Sequence, residues 1–458
     1  MGLGLHGGAL AVVKWLLKHK AILTITDIKT ARQLRPTLEK IKKFPNSLNI
    51  KYRLGGHNLV DFKDQDLIVQ NPGVATNSPY LLAARKNNIP IVNEAVMFFG
   101  LYPGSSIGVT GTRGKSTTAS LIHKILKTEI KSNVVTGNIA TNPMFEVLGK
   151  LKVKSLPVVE LSSWHLERMG DYKVSPHIAV VTNVLVDHLD RYGNFYAYKK
   201  AKQNIVNFQL EDDKAVLNAD NPHSYSFRKH CPGKVYFYSL KKKVKGAYID
   251  KDNICFSKGK GRQVVMPVSD IKLPGQHNLS NVLAAITVAK IVGIKNENII
   301  KAVRNFWGID YRLEYKASIN DLDVYNDSTS TTPDATIVAI DSFKDKNVIL
   351  IAGGEDKNLD YKNLAKKIKK QVNFLLLLEG SGSQKLIKEL KKINFNKKRA
   401  VFNIKSLKQA YQLAMTKSVC NNVLLFSPAA ASFNMFVNEF DRARQFDSLI
   451  NADKKKKK

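Results

Sequence analysis

The run Gly108-Val109-Thr110-Gly111-Thr112-Arg113-Gly114-Lys115-Ser116-Thr117-Thr118 limits what this chain can fold into more than any other segment. A β-rich stretch, Ser106 to Thr110, enters it, and a helix-period apolar face of Leu121, Ile122, Ile125 and Leu126 leaves it. Strand, tight loop and helix in that order make a phosphate cradle, because small residues let consecutive backbone N–H groups converge on phosphate oxygens at a helix N-terminus. Lys115 adds a point charge, and the hydroxyl of Ser116 or Thr117 can ligate Mg²⁺. The spacing satisfies G-x-x-x-x-G-K-[ST] except that Val109 holds the first glycine slot, with Gly108 one place early. A nucleoside triphosphate is the expected ligand, with Gly111, Thr112, Arg113, Gly114, Lys115, Ser116 and Thr117 around its phosphates.

Such a loop belongs in a parallel α/β sheet, and short β-rich runs do alternate with helix-period stretches almost throughout. Before the loop the predicted strands are Ile22 to Thr26, Leu67 to Gln70 and Ile91 to Asn93, with helices Ala9 to His19 and Tyr80 to Asn87. After it come strands Val158 to Leu161 and Ile178 to Thr182, then a helix from His277 or Asn278. A further alternating unit carries strands near Val324, Val348 to Ala352, Phe374 to Leu378, Ala400 to Phe402 and Val423 to Phe426. The turn signal Tyr102-Pro103-Gly104 and the new unit from Asn305 divide the chain into residues 1–101, 102–304 and 305–458, in keeping with 458 residues at roughly 150 per domain.

Charge is the compositional outlier. The 72 Lys+Arg against 38 Asp+Glu give +34, which brings nucleic acid, anionic membrane and phosphate-rich substrates into consideration. The lysines are scattered through every segment, however, which is the pattern of a solvated surface, and the Lys454 to Lys458 tail reads as a frayed end. Cys231, Cys255 and Cys420 stand far apart with no CxxC pair, arguing for reduced thiols and against a zinc or disulfide framework. No run approaches the ~18 consecutive apolar residues of a membrane span. The first residues also lack a basic n-region and a small-residue cleavage site, so a cytoplasmic protein with no membrane insertion is expected.

Two polar residues at strand ends extend the site. Glu160 closes the apolar run Val158-Val159, where a carboxylate faces the phosphate loop at the mouth of the sheet and can hold Mg²⁺. His188 follows the strand Ile178 to Thr182 and would present a second metal ligand.

The form T-G-T-x-G-K-[ST]-T resembles that of the Mur ligase superfamily, whose members join an amino acid to a carboxylate by way of an acyl phosphate. The resemblance implies ATP and Mg²⁺ as cofactors and an α/β fold of three domains: N-terminal Rossmann-like, central P-loop ATPase-like with a mostly parallel sheet, and C-terminal Rossmann-like. Lys202, in Tyr198-Lys199-Lys200-Ala201-Lys202, matches the superfamily lysine that is carbamylated; the carbamate turns a misplaced cation into an anionic metal ligand. With Lys115, Glu160 and His188 it makes the implied catalytic set, and with Ser116, Thr117, Glu160 and His188 the implied metal set. The stretch Gly275-Gln276-His277-Asn278-Leu279-Ser280-Asn281 resembles G-x-H-N-x-x-N, placing the Asn278 and Asn281 amides one helical turn apart for an adenine edge. Arg312 matches an arginine that clamps the transferred phosphoryl, and Asp327 an aspartate that approaches the nucleotide from the C-terminal domain.

Within the superfamily the pattern is similar to the branch that adds glutamate to UDP-N-acetylmuramoyl-L-alanine in peptidoglycan precursor synthesis, and it runs the length of the chain. Gly2-x-Gly4-x-x-Gly7 followed by Thr26-Asp27-Ile28-Lys29 resembles its uridine-diphosphate cradle, as does Asn71-Pro72-Gly73-Val74. This implies substrate contacts at Gly4, Asp27, Lys29, Asn71 and Gly73, and at Asn138 in Gly137-Asn138-Ile139. Lys357 in Gly353-Gly354-Glu355-Asp356-Lys357 matches the lysine for the incoming carboxylate, and Ser432 and Phe433 match the lining of the glutamate pocket. A monomer is expected.

Three positions depart from that pattern. The glycine motif begins at Met1-Gly2, so the strand ahead of it is missing and an unpaired sheet edge is expected, with a start placed a few residues late as the simplest explanation. The usual D-S-K-A-T-N is Asp327-Ser328-Thr329-Ser330-Thr331-Thr332, with Thr329 replacing a pocket lysine, and Asn438-Glu439-Phe440-Asp441-Arg442 puts an acid where an aromatic is usual. Both touch the amino-acid pocket and leave D-glutamate and L-glutamate open, with D-glutamate favoured. The rival readings are a folylpolyglutamate synthetase-like ligase, against which the N-terminal cradle argues, and a nucleic-acid-binding NTPase, suggested by charge alone.

Overall fold

The computed structural model describes residues 1–5, 7–139, 142–417, 422–432 and 435–456. Internal packing divides the chain into two units, Met1–Ile271 with Leu279–Asn305, and Lys272–Asn278 with Phe306–Lys458.

The first unit is built on a nine-stranded sheet in the order Gln263–Pro267, Asn253–Ser257, Gly246–Asp250, Lys234–Ser239, Lys214–Asn218, Ile178–Val181, Ile107–Thr110, Val158–Glu160, Val135–Gly137. The first two neighbour contacts are antiparallel and all the others parallel. Every residue of Ile107–Thr110 and Ile178–Val181 is buried, as a parallel strand covered on both faces requires. Val109 pairs with Glu160 on one side and Val180 on the other, so three chains leave the sheet at one carboxyl edge, where ligands of open α/β sheets bind. The three predicted central strands are present, each within a residue of its expected ends. Val135–Gly137 and the five strands from Lys214 to Pro267 were not predicted; the last three form a meander of tight turns rather than strand–helix alternation, which leaves the alternation test blind to them.

Ahead of this sheet lie two parallel pairs, Leu23–Asp27 with Ile50–Leu54 and Ile68–Val69 with Ile91–Val92. Gly2 N–H donates to Thr26 O at 2.8 Å and Asn71 N–H donates to Met1 O at 3.0 Å. Residues 1 and 2 therefore bridge the two pairs, each of which is a separate two-stranded sheet.

The helix Phe195–Asn207, capped by Asn194 whose side chain accepts from Ala197 N–H, buries Tyr198, Ala201, Lys202, Ile205 and Val206. The spacing is that of an apolar helix face, with one lysine set in it. In the second unit, the sheet order is Glu314–Ile319, Leu322–Asn326, Asn422–Phe426, Asn347–Ala352, Val372–Leu378, Ala400–Ile404, parallel except for the first pair. Buried Leu350, Leu375, Leu377 and Leu425 form one face of its core and Ile349, Ile351, Leu376 and Leu424 the other, each worth about 1.5–3 kcal/mol on removal from water.

Candidate active site

The loop between Ile107–Thr110 and the helix Lys115–Leu126 is shaped by two close approaches. Gly114, at φ +82°, sits where L side chains are strained, and an added Cβ there would strike the Asn281 amide; at Gly111 it would overlap Thr182 Oγ1. The residues following the neighbouring strand then brace the loop. Asn183 O accepts Thr112 N–H at 2.8 Å, Asn183 Oδ1 accepts Arg113 N–H at 2.9 Å, and Thr182 Oγ1 donates to Arg113 O at 2.6 Å. The Thr112 hydroxyl points inward, accepting from Leu185 N–H at 2.9 Å and meeting Tyr198 OH at 3.1 Å. Thr112 and Arg113, expected among the phosphate ligands, thus have their N–H groups engaged within the protein. The helix start, Gly114 to Thr117, is where an anion-binding helix terminus presents its first amides.

Two lysine amines converge on one carbonyl of this loop. Lys115 Nζ donates to Gly111 O at 3.1 Å and to Thr112 O at 3.2 Å, and Lys202 Nζ donates to Gly111 O at 2.9 Å. Lys202 is 1 % exposed and lies 4.8 Å from the Tyr198 ring centre. Burial, and then Lys115, hold its amine well below the usual lysine range, against the opposing pull of Asp187 and Glu160. Beside them, Glu160 is buried; its Oε1 accepts Asn138 Nδ2–H at 3.1 Å, while its Oε2 has no hydrogen-bond partner among the described residues. An orphaned buried carboxylate oxygen is costly unless something binds it, and a hard cation does so. His188 is exposed, at φ +52°, with its ring 5.5 Å from that of Trp164 and 5.8 Å from that of Tyr198. Among the described residues no three His, Cys, Asp or Glu side chains cluster as a self-sufficient metal site. The donors described would fit an ion that takes most of its ligands from outside the protein.

The asparagine pair has two surroundings. Asn281 packs on Gly114, whereas Asn278 Nδ2 donates to Pro274 O at 2.8 Å, within the turn that starts its helix. At the N-terminal cradle Asp27 is buried and takes Gly4 N–H and Lys29 N–H, each at 2.8 Å, so its carboxylate closes the glycine turn. Asn71 Oδ1 accepts Gly73 N–H at 3.0 Å, curling the 71–74 loop.

In the second unit Asp327 is saturated: Oδ1 accepts Leu313 N–H at 3.0 Å and Oδ2 accepts Ser427 Oγ–H at 2.6 Å. Burial pushes its carboxyl up to about 6 despite those bonds and Arg312. Arg312 itself is exposed. Lys357 Nζ donates to Thr331 Oγ1 at 3.0 Å, and Thr329 Oγ1 donates to Tyr311 O at 2.8 Å. Ser432 is buried, and Phe433 lies outside the described residues. The largest fully buried side chain here was not anticipated. Arg442 donates to Ser328 O at 2.8 Å, Ser328 Oγ at 3.2 Å and Ala430 O at 3.2 Å, and burial lowers it to about 10. In sequence, an arginine in a charged helix looks like any surface residue. The braces Thr182, Asn183 and Tyr198 were also missed, although the first two directly follow a buried strand beside the loop, where bracing residues belong.

A glycine-shaped phosphate cradle at the carboxyl edge of a parallel sheet, beside a half-partnered buried carboxylate and a buried lysine, defines a nucleotide-binding α/β protein built for chemistry on phosphate. The chain belongs to the Mur ligase family: residues 1–93 match the MurD-like N-terminal domain, 109–289 the Mur ligase middle domain and 311–430 the glutamate ligase domain. It is 37% identical over 460 residues to the UDP-N-acetylmuramoylalanine–D-glutamate ligase of Koribacter versatilis, covering 100% of this chain and 98% of that protein. The ligase of the same name from Roseiflexus sp. is 34% identical, covering 99% and 97%. Among solved structures, the fold is similar to UDP-N-acetylmuramate-alanine ligase MurC from Thermotoga maritima (TM-score 0.61, 21% identity, 98% of each chain). It is also similar to MurF ligase from the same organism in complex with ADP (TM-score 0.56, 17% identity, 88% of this chain and 97% of that one). No helix among the described residues is long and apolar enough to cross a membrane.

Proposed function

We propose that the chain joins D-glutamate to UDP-N-acetylmuramoyl-L-alanine at the expense of ATP, in the cytoplasm; its full-length relatives are named as UDP-N-acetylmuramoylalanine–D-glutamate ligases. The observation that carries this reading is the meeting of Lys115 and Lys202 on Gly111 O beside the orphaned Glu160 oxygen. Lys115 brings a positive charge to the spot, and one buried carboxylate oxygen is left for a cation. Residues 1–101 would hold the nucleotide sugar, 102–304 activate its carboxylate, and 305–458 deliver glutamate.

ATP phosphates would lie on the amides at the start of Lys115–Leu126, with Lys115 placed to neutralise charge as the γ-phosphoryl leaves ADP. The terminal carboxylate of the nucleotide sugar attacks that phosphorus, giving an acyl phosphate and ADP. The glutamate amine attacks the acyl carbon, and the tetrahedral species expels phosphate while the nitrogen loses its proton. Mg²⁺, held by Glu160, His188, Lys202 as its carbamate, and Ser116 or Thr117, supplies charge neutralisation on the phosphates when bound. Burial favours the modification of Lys202: it disfavours the charged ammonium, the free amine is the nucleophile for CO₂, and a carbamate formed with loss of a proton would suit a cation where the ammonium does not. Asn278 and Asn281 are the candidates for adenine and loop contacts, Arg312 and Asp327 for the nucleotide, and Gly4, Asp27, Lys29, Asn71, Gly73 and Asn138 for the nucleotide sugar. Lys357, Ser432 and Phe433 are assigned to glutamate.

Phosphate release tests the reading. It should require ATP, Mg²⁺, UDP-N-acetylmuramoyl-L-alanine and D-glutamate together, with L-glutamate a poor replacement. Release that ignores the nucleotide sugar, or that DNA or RNA stimulates, would overturn it.

A further inference from the structure

We propose that Arg191 fastens the nucleotide-sugar loop, residues 71–74, to the segment that carries His188, so that gripping the sugar nucleotide and presenting His188 become one event. This rests on the ligase reading above and assigns it a positioning residue. Arg191 lies in the single helical turn Leu189–Tyr192, whose Arg191 and Tyr192 N–H groups both return to His188 O, at 3.2 and 3.1 Å. Its guanidinium reaches across to the N-terminal cradle, donating to Pro72 O at 2.8 Å, Val74 O at 3.3 Å and Glu167 Oε2 at 3.3 Å. It lies 4.9 Å from the ring centre of Trp164, and only 14% of the side chain is exposed. The other Glu167 oxygen accepts from Thr76 Oγ1 at 3.2 Å, so the same carboxylate holds the arginine and the far side of the loop.

The geometry suits arginine alone. A planar fork can serve two carbonyls and a carboxylate at once while stacked on a ring; an ammonium serves them one at a time. The loop supplies the matching half. Asn71 Oδ1 takes Gly73 N–H and Asn71 O takes Val74 N–H at 2.9 Å, which fixes a curl with the carbonyls of Pro72 and Val74 held by Arg191. Without the fork those carbonyls turn to water, and the loop must be ordered again whenever the nucleotide sugar binds, a cost that appears as lost affinity. Because the anchor is three residues after His188, the same loss reaches the reacting carboxylate. The phosphate loop takes its braces from Thr182, Asn183 and Tyr198, and among the described residues Arg191 makes no hydrogen bond to it.

Steady-state phosphate release of the full chain, varying nucleotide sugar, ATP and D-glutamate in turn, separates these effects. Arg191→Ala should raise KM for the nucleotide sugar about tenfold or more and lower kcat severalfold, with KM for ATP within about twofold of wild type. Arg191→Lys should fall between, and Glu167→Gln should raise the same KM about threefold. If Arg191→Ala does not fold, Glu167→Gln and Thr76→Val, which keep the arginine, carry the same readout. An unchanged KM for the nucleotide sugar, or an equal rise for all three substrates, overturns the proposal while the ligase reading stands. No turnover by the wild-type chain overturns that reading and this proposal with it.

Discussion

The phosphate centre and the buried knot of the second unit contain the same kinds of group, a carboxylate and a long cation under cover, yet they differ in what is left unbonded. Around Gly111 a carboxylate oxygen of Glu160 lacks a hydrogen-bond partner among the described residues, and the buried Lys202 amine donates to a carbonyl beside the Tyr198 ring. Around Ser328 each group is partnered: both Asp327 oxygens accept a hydrogen bond, and each of the three Arg442 side-chain nitrogens donates to a backbone carbonyl or a hydroxyl. Unmet bonding capacity in a buried place is the mark of a site awaiting a ligand, because folding alone does not repay its desolvation. A saturated cluster of the same residues is architecture. The difference predicts that substitutions in the first region remove turnover and spare stability, and that those in the second do the opposite.

The sharpest break would come from Lys202→Ala. Ligation should fall about a thousandfold while the melting temperature holds or rises, since a buried amine without an acid is removed; phosphate release and thermal unfolding of one preparation check both halves. Arg442→Leu should cost the second unit about 3 kcal/mol in denaturant unfolding, because the carbonyls of Ser328 and Ala430 lose their donors. Glu160→Gln should slow phosphate release about a hundredfold and raise the Mg²⁺ needed for half-maximal rate, with unfolding unmoved. Asp327, raised from 3.8 to about 6, favours folding while protonated, so its contribution is complete below pH 3.8 and is lost as pH rises through about 6. Across that window stability should fall by roughly 1.4 kcal/mol per unit at most, and Asp327→Asn should flatten the profile. Gly114→Ala should cost about 1–2 kcal/mol through its φ and its collision with Asn281, and Asn281→Ala should return part of it.

Legibility in the sequence follows the same division. The phosphate loop, Glu160 at a strand end and the three central strands were readable because backbone pattern and chemistry coincide there. Lys202 could have been picked from its lysine neighbours without any family resemblance: it falls on the stripe of Tyr198, Ala201, Ile205 and Val206, whereas Lys199 and Lys200 do not. Arg191 and Arg442 were hidden, since each is bound by backbone carbonyls from segments more than a hundred residues away or by a turn that only tertiary packing creates. Thr112 and Asp27, expected as ligand contacts, also hydrogen-bond within the protein; a sequence shows that a polar group is present, not which partners share it.

The braces on Thr112 and Arg113 also have a consequence for time. Their amides are already bonded to Asn183, so hydrogen exchange there should be slow before any nucleotide arrives and change little afterwards. Exchange of the amides from Gly114 to Thr117 should slow when phosphate lands. The loop would thus report nucleotide occupancy with its second half only, the first half having been ordered once, when the chain folded.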